Sequence, residues 1–185
     1  MKDLHVKNIS VISEIEFAGR YSKGIKICVT GSNGKTTTTL MIKHILSKAG
    51  FDVVAVGNVG DSFAQVLADG DHDYFVIELS SFQLDNMYDF KADIAILLNI
   101  TPDHLDRYNN DFNQYIQSKF RILNNLTEHQ YFIYNADDEV IKNELKKRNI
   151  TPCQLPFSIE NKLDNGAILN HNCLLYTSPS PRDLY

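Results

Sequence analysis

Apolar positions fall in short runs divided by polar turns, and the runs alternate between two periods. Runs of five to seven apolar-rich residues, with the β-branched and aromatic bias of strands, occupy Ile25–Thr30 and residues 51–56, 74–79, 93–99 and 131–135. Between them the spacing lengthens to that of a helix. From about Thr36 the apolar positions Leu40, Met41, Ile45, Leu46 and Ala49 recur on one side, and Gly50 is suited to a left-handed helix end. Further helices are expected over residues 61–69, 111–126 and 137–148. Strands and helices in alternation predict an α/β protein: a mostly parallel, P-loop-type sheet with helices on both faces. Ligands of such sheets gather at the carboxyl ends of the strands, and the unusual polar clusters of this chain all follow strands.

Composition narrows the function classes. The 185 residues are 43% hydrophobic, enough for one ordinary domain with a real core. No run of eighteen apolar residues exists and the first residues lack the build of a signal peptide, so a cytoplasmic protein without membrane insertion is expected. With 23 acidic against 18 basic residues the net charge is −5, and the basic cluster Lys146-Lys147-Arg148 falls at an expected helix end, which argues against nucleic acid as a partner. Cys28, Cys153 and Cys173 are far apart and have no metal-binding spacing.

The first candidate site is TGSNGKTT, residues 30–37, between a strand and a helix. Gly31 and Gly34 let backbone N–H groups converge on phosphate oxygens, with Ser32 and Asn33 completing the turn, and the helix N-terminus adds positive potential. Lys35 can reach the outer phosphates, the hydroxyl of Thr36 can ligate magnesium, and Thr37 continues the cradle. A full Walker loop would have glycine at position 29, where this chain has Val29. Three more strand ends carry chemistry. Gly57-Asn58-Val59-Gly60 reads either as a ligand-approaching loop or as a tight turn. In ELSSFQL, Glu78 stands where a magnesium ligand beside a P-loop belongs, or is a solvated strand end, with Ser80 and Gln83 close by. In NITPDHLDRY, His104 among carboxylates, with Arg107 near, suits a metal or phosphate site or a capping turn. Lys119 falls inside the apolar stripe Phe112, Ile116, Phe120 and Leu123. Either its stem is packed while its ammonium reaches water, or burial lowers its pKa and leaves an amine able to add carbon dioxide.

Taken in this order and spacing, TGSNGKTT, GNVG, ELSSFQL, NITPDHLDRY, the SKFRI segment around Lys119 and NADD at residues 135–138 resemble the central ATPase domain of the Mur ligases, over about residues 9–170. ELSSFQL and NITPDHLDRY are most similar to the branch that adds D-glutamate to UDP-linked muramoyl-alanine. The resemblance implies an ATP-dependent amide-forming ligase working through an acyl phosphate. Residues 31–37 would hold ATP, with Lys35 catalytic. Thr36 and Glu78 would bind one Mg2+, while His104 and a carbamylated Lys119 would serve a second. Asn58, Ser80 and Gln83 would touch the muramoyl-alanine end of the substrate, and Asn58, His104 and Lys119 would join Lys35 in catalysis. On this basis the carbamate is favoured over the snorkelling lysine. A monomer is expected. Residues 1–21 are expected to be the end of a preceding domain, 22–172 the central domain cut short, and 173–185 a tail foreign to the ligase, so the chain alone should be catalytically silent. Another Mur-type ligase, a folylpolyglutamate-synthase-like enzyme, another P-loop enzyme such as a kinase or nucleotide-hydrolysing switch, and a bare nucleotide-binding module are the alternatives.

Overall fold

The computed structural model describes residues 11–170 and 173–176, with side chains through residue 169. After helix α1 (Glu14–Gly19), the chain runs β1 (Ile25–Thr30), α2 (Lys35–Lys48), β2 (Val53–Gly57), α3 (Phe63–Asp69), β3 (Tyr74–Glu78), α4 (Ser81–Leu84) and β4 (Ile94–Leu97). A 3-10 turn (Leu105–Tyr108) leads into α5 (Phe112–Phe120), followed by β5 (Tyr131–Asn135), α6 (Glu139–Leu145), β6 (Cys153–Ser158), β7 (Ala167–Asn170) and β8 (Cys173–Tyr176). The strands form one sheet in the order β2-β3-β1-β4-β5-β6-β7-β8. All neighbours are parallel except β7 and β8.

Alternation along each strand sorts side chains between two layers. Cys28, Phe75, Ile77, Ala95 and Leu97 join one core with Ile15 and Ala18 of α1, Phe63 of α3, Leu84 of α4, Tyr115, Ile116 and Phe120 of α5 and Ile141 of α6. Ile27, Val29, Val76 and Ile96 point the other way, where Ile42 and Leu46 of α2 pack on them. Parallel strands buried on both faces account for the continuous apolar runs of β1, β3 and β4. No helix among the described residues is long and apolar enough to cross a membrane.

The expected elements are present with shifted ends, and three differences are instructive. Of the apolar stripe expected on α2, Leu46 faces the sheet, but Leu40, Met41 and Ile45 do not and are 47%, 58% and 58% exposed. The inward line is Thr39, Ile42 and Leu46, because the helix starts at Lys35 and its rotation is set by the loop before it. β6 and β7 were not anticipated; Gln154 and Pro156 interrupt the apolar pattern of β6, yet the ladder to β5 runs from Tyr131–Cys153 to Asn135–Phe157. Cys173–Tyr176, expected to open a tail, pairs with β7; residues 177–185 lie outside the described residues, as do residues 1–10 of the segment expected to end a preceding domain.

Candidate functional site

The carboxyl ends of β1, β3 and β4 are adjacent, so the polar segments that follow them meet at one edge of the sheet. β1 ends in the phosphate-type loop. Gly34 takes φ 81°, a left-handed conformation that suits glycine, and α2 begins at the next residue with no side chain capping its first turn. Its leading N–H groups therefore stay open. The Lys35 Nζ donates to Ser32 O at 2.8 Å.

Behind the loop, β3 presents Glu78, only 1% exposed. Its two oxygens accept from Thr36 Oγ1 and Asn58 Nδ2, each at 2.8 Å, so one carboxylate joins the loop helix to the β2–α3 turn. Asn58 can approach because Gly57 has φ 104°; a Cβ there would lie 2.4 Å from Glu78 O.

Lys119, from α5, is 2% exposed and points inward. Its Nζ donates to Gly31 O at 2.9 Å and Thr30 Oγ1 at 3.2 Å, and lies 5.3 Å from the Tyr115 ring centre. It does not snorkel. Burial, seconded by the positive charge of Lys35, lowers its pKa to about 7. His104 enters from the other side in a left-handed conformation (φ 48°), its side chain 74% exposed and 3.7 Å from Asp103.

Lys35, Ser80, His104 and Lys119 line a single cavity of about 160 Å³, with Asp103, Arg107 and Tyr115. Thr36, Asn58 and Glu78 form the clamp beside it, one residue along the chain from Lys35. Gln83 is placed differently: its side-chain oxygen accepts the Ser80 N–H at 2.9 Å, closing the start of α4, and it does not line the cavity. Ser32 and Asn33 are also committed, to the segment after β4. Ser32 N–H donates to Asn99 O, and Ser32 Oγ meets Thr101 and Tyr115 OH.

Tyr115 was not singled out in the sequence, and Asn99 was read there only as the first residue of NITPDHLDRY. Tyr115 carried a signal, lying one helical turn before Lys119 on the same face of α5; Asn99 carried only its place at a strand end. No three His, Cys, Asp or Glu side chains cluster as a self-sufficient metal cage among the described residues.

A family profile described as the Mur ligase middle domain matches residues 29–174. The chain is 52% identical over 176 residues to the UDP-N-acetylmuramoylalanine–D-glutamate ligase of Bacteroides fragilis, covering 95% of this chain and 40% of the relative. The enzyme of the same name from Porphyromonas gingivalis is 54% identical over 159 residues, 86% of this chain and 35% of the relative. The chain thus spans about 40% of the length of such relatives. Among solved structures, the UDP-N-acetylmuramate:L-alanyl-gamma-D-glutamyl-meso-diaminopimelate ligase of Neisseria meningitides superposes with a TM-score of 0.65 at 18% identity, over 95% of this chain and 60% of that one. The MurF ligase of Thermotoga maritima in complex with ADP gives 0.61 at 23%, over 83% and 36%. At those identities the likeness is one of fold.

Proposed function

Because the chain belongs to the Mur ligase family, whose middle domain it matches over residues 29–174, we propose that it is the nucleotide-handling part of an ATP-dependent ligase that adds D-glutamate to UDP-linked muramoyl-alanine. The observation that supports this best is the convergence of Lys35, Ser80, His104 and Lys119 on one cavity beside the Thr36–Glu78–Asn58 clamp. Nucleotide binding alone would not need a buried lysine opposite the phosphate loop.

The reaction joins two anions before it joins two substrates. The muramoyl-alanine carboxylate attacks the γ-phosphorus of ATP, the bond to ADP breaks, and an acyl phosphate forms. The amine of D-glutamate then adds to the acyl carbon, phosphate leaves from the tetrahedral intermediate, and the amine's spare proton passes to solvent. Lys35 and the open amides at the start of α2 offset the charge on the transferred phosphoryl group. Asn58 and Ser80 orient the carboxylate.

The donors present suit magnesium. Thr36 and Glu78 offer hard oxygens 2.8 Å apart, a set too small for a closed cage, which matches an ion that keeps water and phosphate oxygens among its ligands. Bound there, Mg2+ would supply positive charge between the approaching anions. Lys119, close to half neutral at pH 7, can add carbon dioxide at Nζ with loss of one proton, giving a carbamate that, with His104, would serve a second ion. The complete ligase carrying this sequence should release ADP only when both UDP-N-acetylmuramoyl-alanine and D-glutamate are supplied. Release driven equally by another amino acid would move the chain to a different branch, and none at all would overturn the ligase assignment.

A further inference from the structure

The phosphate loop is divided into a strapped half and an open half, and one side chain makes the division. Asn99, at the carboxyl end of β4, accepts the Asn33 N–H on Oδ1 at 2.8 Å and donates from Nδ2 to Asn33 O at 3.0 Å. Its own carbonyl takes the Ser32 N–H at 3.0 Å. Two loop amides that a phosphate cradle could have offered, those of Ser32 and Asn33, are therefore used within the protein. The two bonds made by the Asn99 carboxamide fall on different peptide units, one before Asn33 and one after it.

The second bond has a directional consequence. A trans peptide is planar, with its C=O and N–H opposed, so holding Asn33 O toward Asn99 turns the Gly34 N–H away from Asn99. That N–H then joins those of Lys35, Thr36 and Thr37, which lie in the first turn of α2 and have no intrahelical acceptor. Glycine at position 34 makes a flip of this peptide unit easy, so the orientation depends on the clasp rather than on local sterics.

We propose that Asn99 is a positioning residue for the nucleotide: its carboxamide orients the peptide between Asn33 and Gly34 so that four successive amides, from residues 34 to 37, face one phosphate group. This rests on the ATP-dependent reading above. Asn99 touches no reacting atom itself and acts through the loop.

The test uses the complete ligase, with calorimetric titration of MgADP into wild type, Asn99→Ala and the near-isosteric Asn99→Asp. The aspartate keeps an acceptor for the Asn33 N–H but sets an oxygen against Asn33 O, so it should favour the flipped peptide. Both variants should weaken ADP binding about 10- to 100-fold, the cost of losing one or two well-placed hydrogen bonds to a charged ligand. In steady-state assays KM for ATP should rise while KM for D-glutamate stays within about twofold, a split that general loss of structure would not give. ADP affinity within twofold of wild type in Asn99→Asp overturns the proposal, as does an equal rise in every KM. A wild type that binds ADP without D-glutamate-dependent turnover removes the ligase assignment and leaves the clasp to be judged on affinity alone. A wild type that binds no ADP overturns both.

Discussion

Two buried charges show how much a single residue can decide. The Lys119 pKa of about 7 lies below the roughly 10.4 of an unfolded lysine, so between those values the unfolded chain holds the extra proton. Its contribution therefore makes stability rise with pH across that window and stays flat below it, where both states are protonated. Urea denaturation at pH 6.5 and 9 should show this rise, and Lys119→Met should remove it while abolishing ligase turnover. A stability slope unchanged by the substitution would mean the amine is already charged and solvated in the fold. Glu16 on α1 carries the opposite charge, and its contribution also grows with pH, in a lower window. It is fully buried and accepts the N–H groups of Tyr88, Asp89 and Phe90 as well as two bonds from Arg20. Burial alone would raise its pKa, but these donors outweigh that and hold it below the usual carboxylate range. The stability it provides is present above about pH 4.3, the ordinary glutamate value, and is lost as pH falls through its lowered value. Glu16→Ala, which strands those donors, should cost about 3 kcal/mol at neutral pH by chemical denaturation.

At the scale of elements, α2 separates what a pattern suggests from what a contact requires. Leu40, Met41 and Ile45 look like a core stripe and are exposed, whereas Ile42 and Leu46 pack on Ile27, Val29, Val76 and Ile96. Met41→Lys should change stability by no more than about 0.5 kcal/mol. Ile42→Ala should cost about 1–2 kcal/mol, less than a fully buried site because its side chain is only partly covered. Equal losses at the two positions would mean that α2 is rotated from the orientation described. The turn between β2 and α3 is constrained more sharply. A Cβ on Gly57 would meet Glu78 O at 2.4 Å in a left-handed backbone, so Gly57→Ala should cost about 2 kcal/mol or more and displace Asn58 from Glu78. Loss of turnover larger than the loss of stability would be the sign that the clamp has opened.

For the whole molecule, the sheet is wrapped unequally: α1, α3, α4, α5 and α6 cover one face, while α2 packs on the other. The site lies where β1, β3 and β4 end side by side, although β3 and β4 follow β1 by dozens of residues in the chain. Since the chain spans about 40% of its curated relatives, the 185 residues alone should release no ADP on addition of D-glutamate, and measurable turnover by the purified chain would contradict this. What the sequence determined by itself was local: strand and helix periods, the glycine-rich turn into α2, the oddity of Lys119 on an apolar stripe, and motif order specific enough to single out a family. These are legible because they depend on neighbours one helical turn or one strand pleat away. Only the tertiary structure decided that Lys119 reaches Gly31 O rather than water, that the Gln83 oxygen closes a helix, that α2 turns Ile42 inward, and that Asn99 grips Asn33 across 66 positions of chain. Such choices belong to parallel strand pairing, in which the crossover connections bring distant residues together and no short stretch of sequence carries the register.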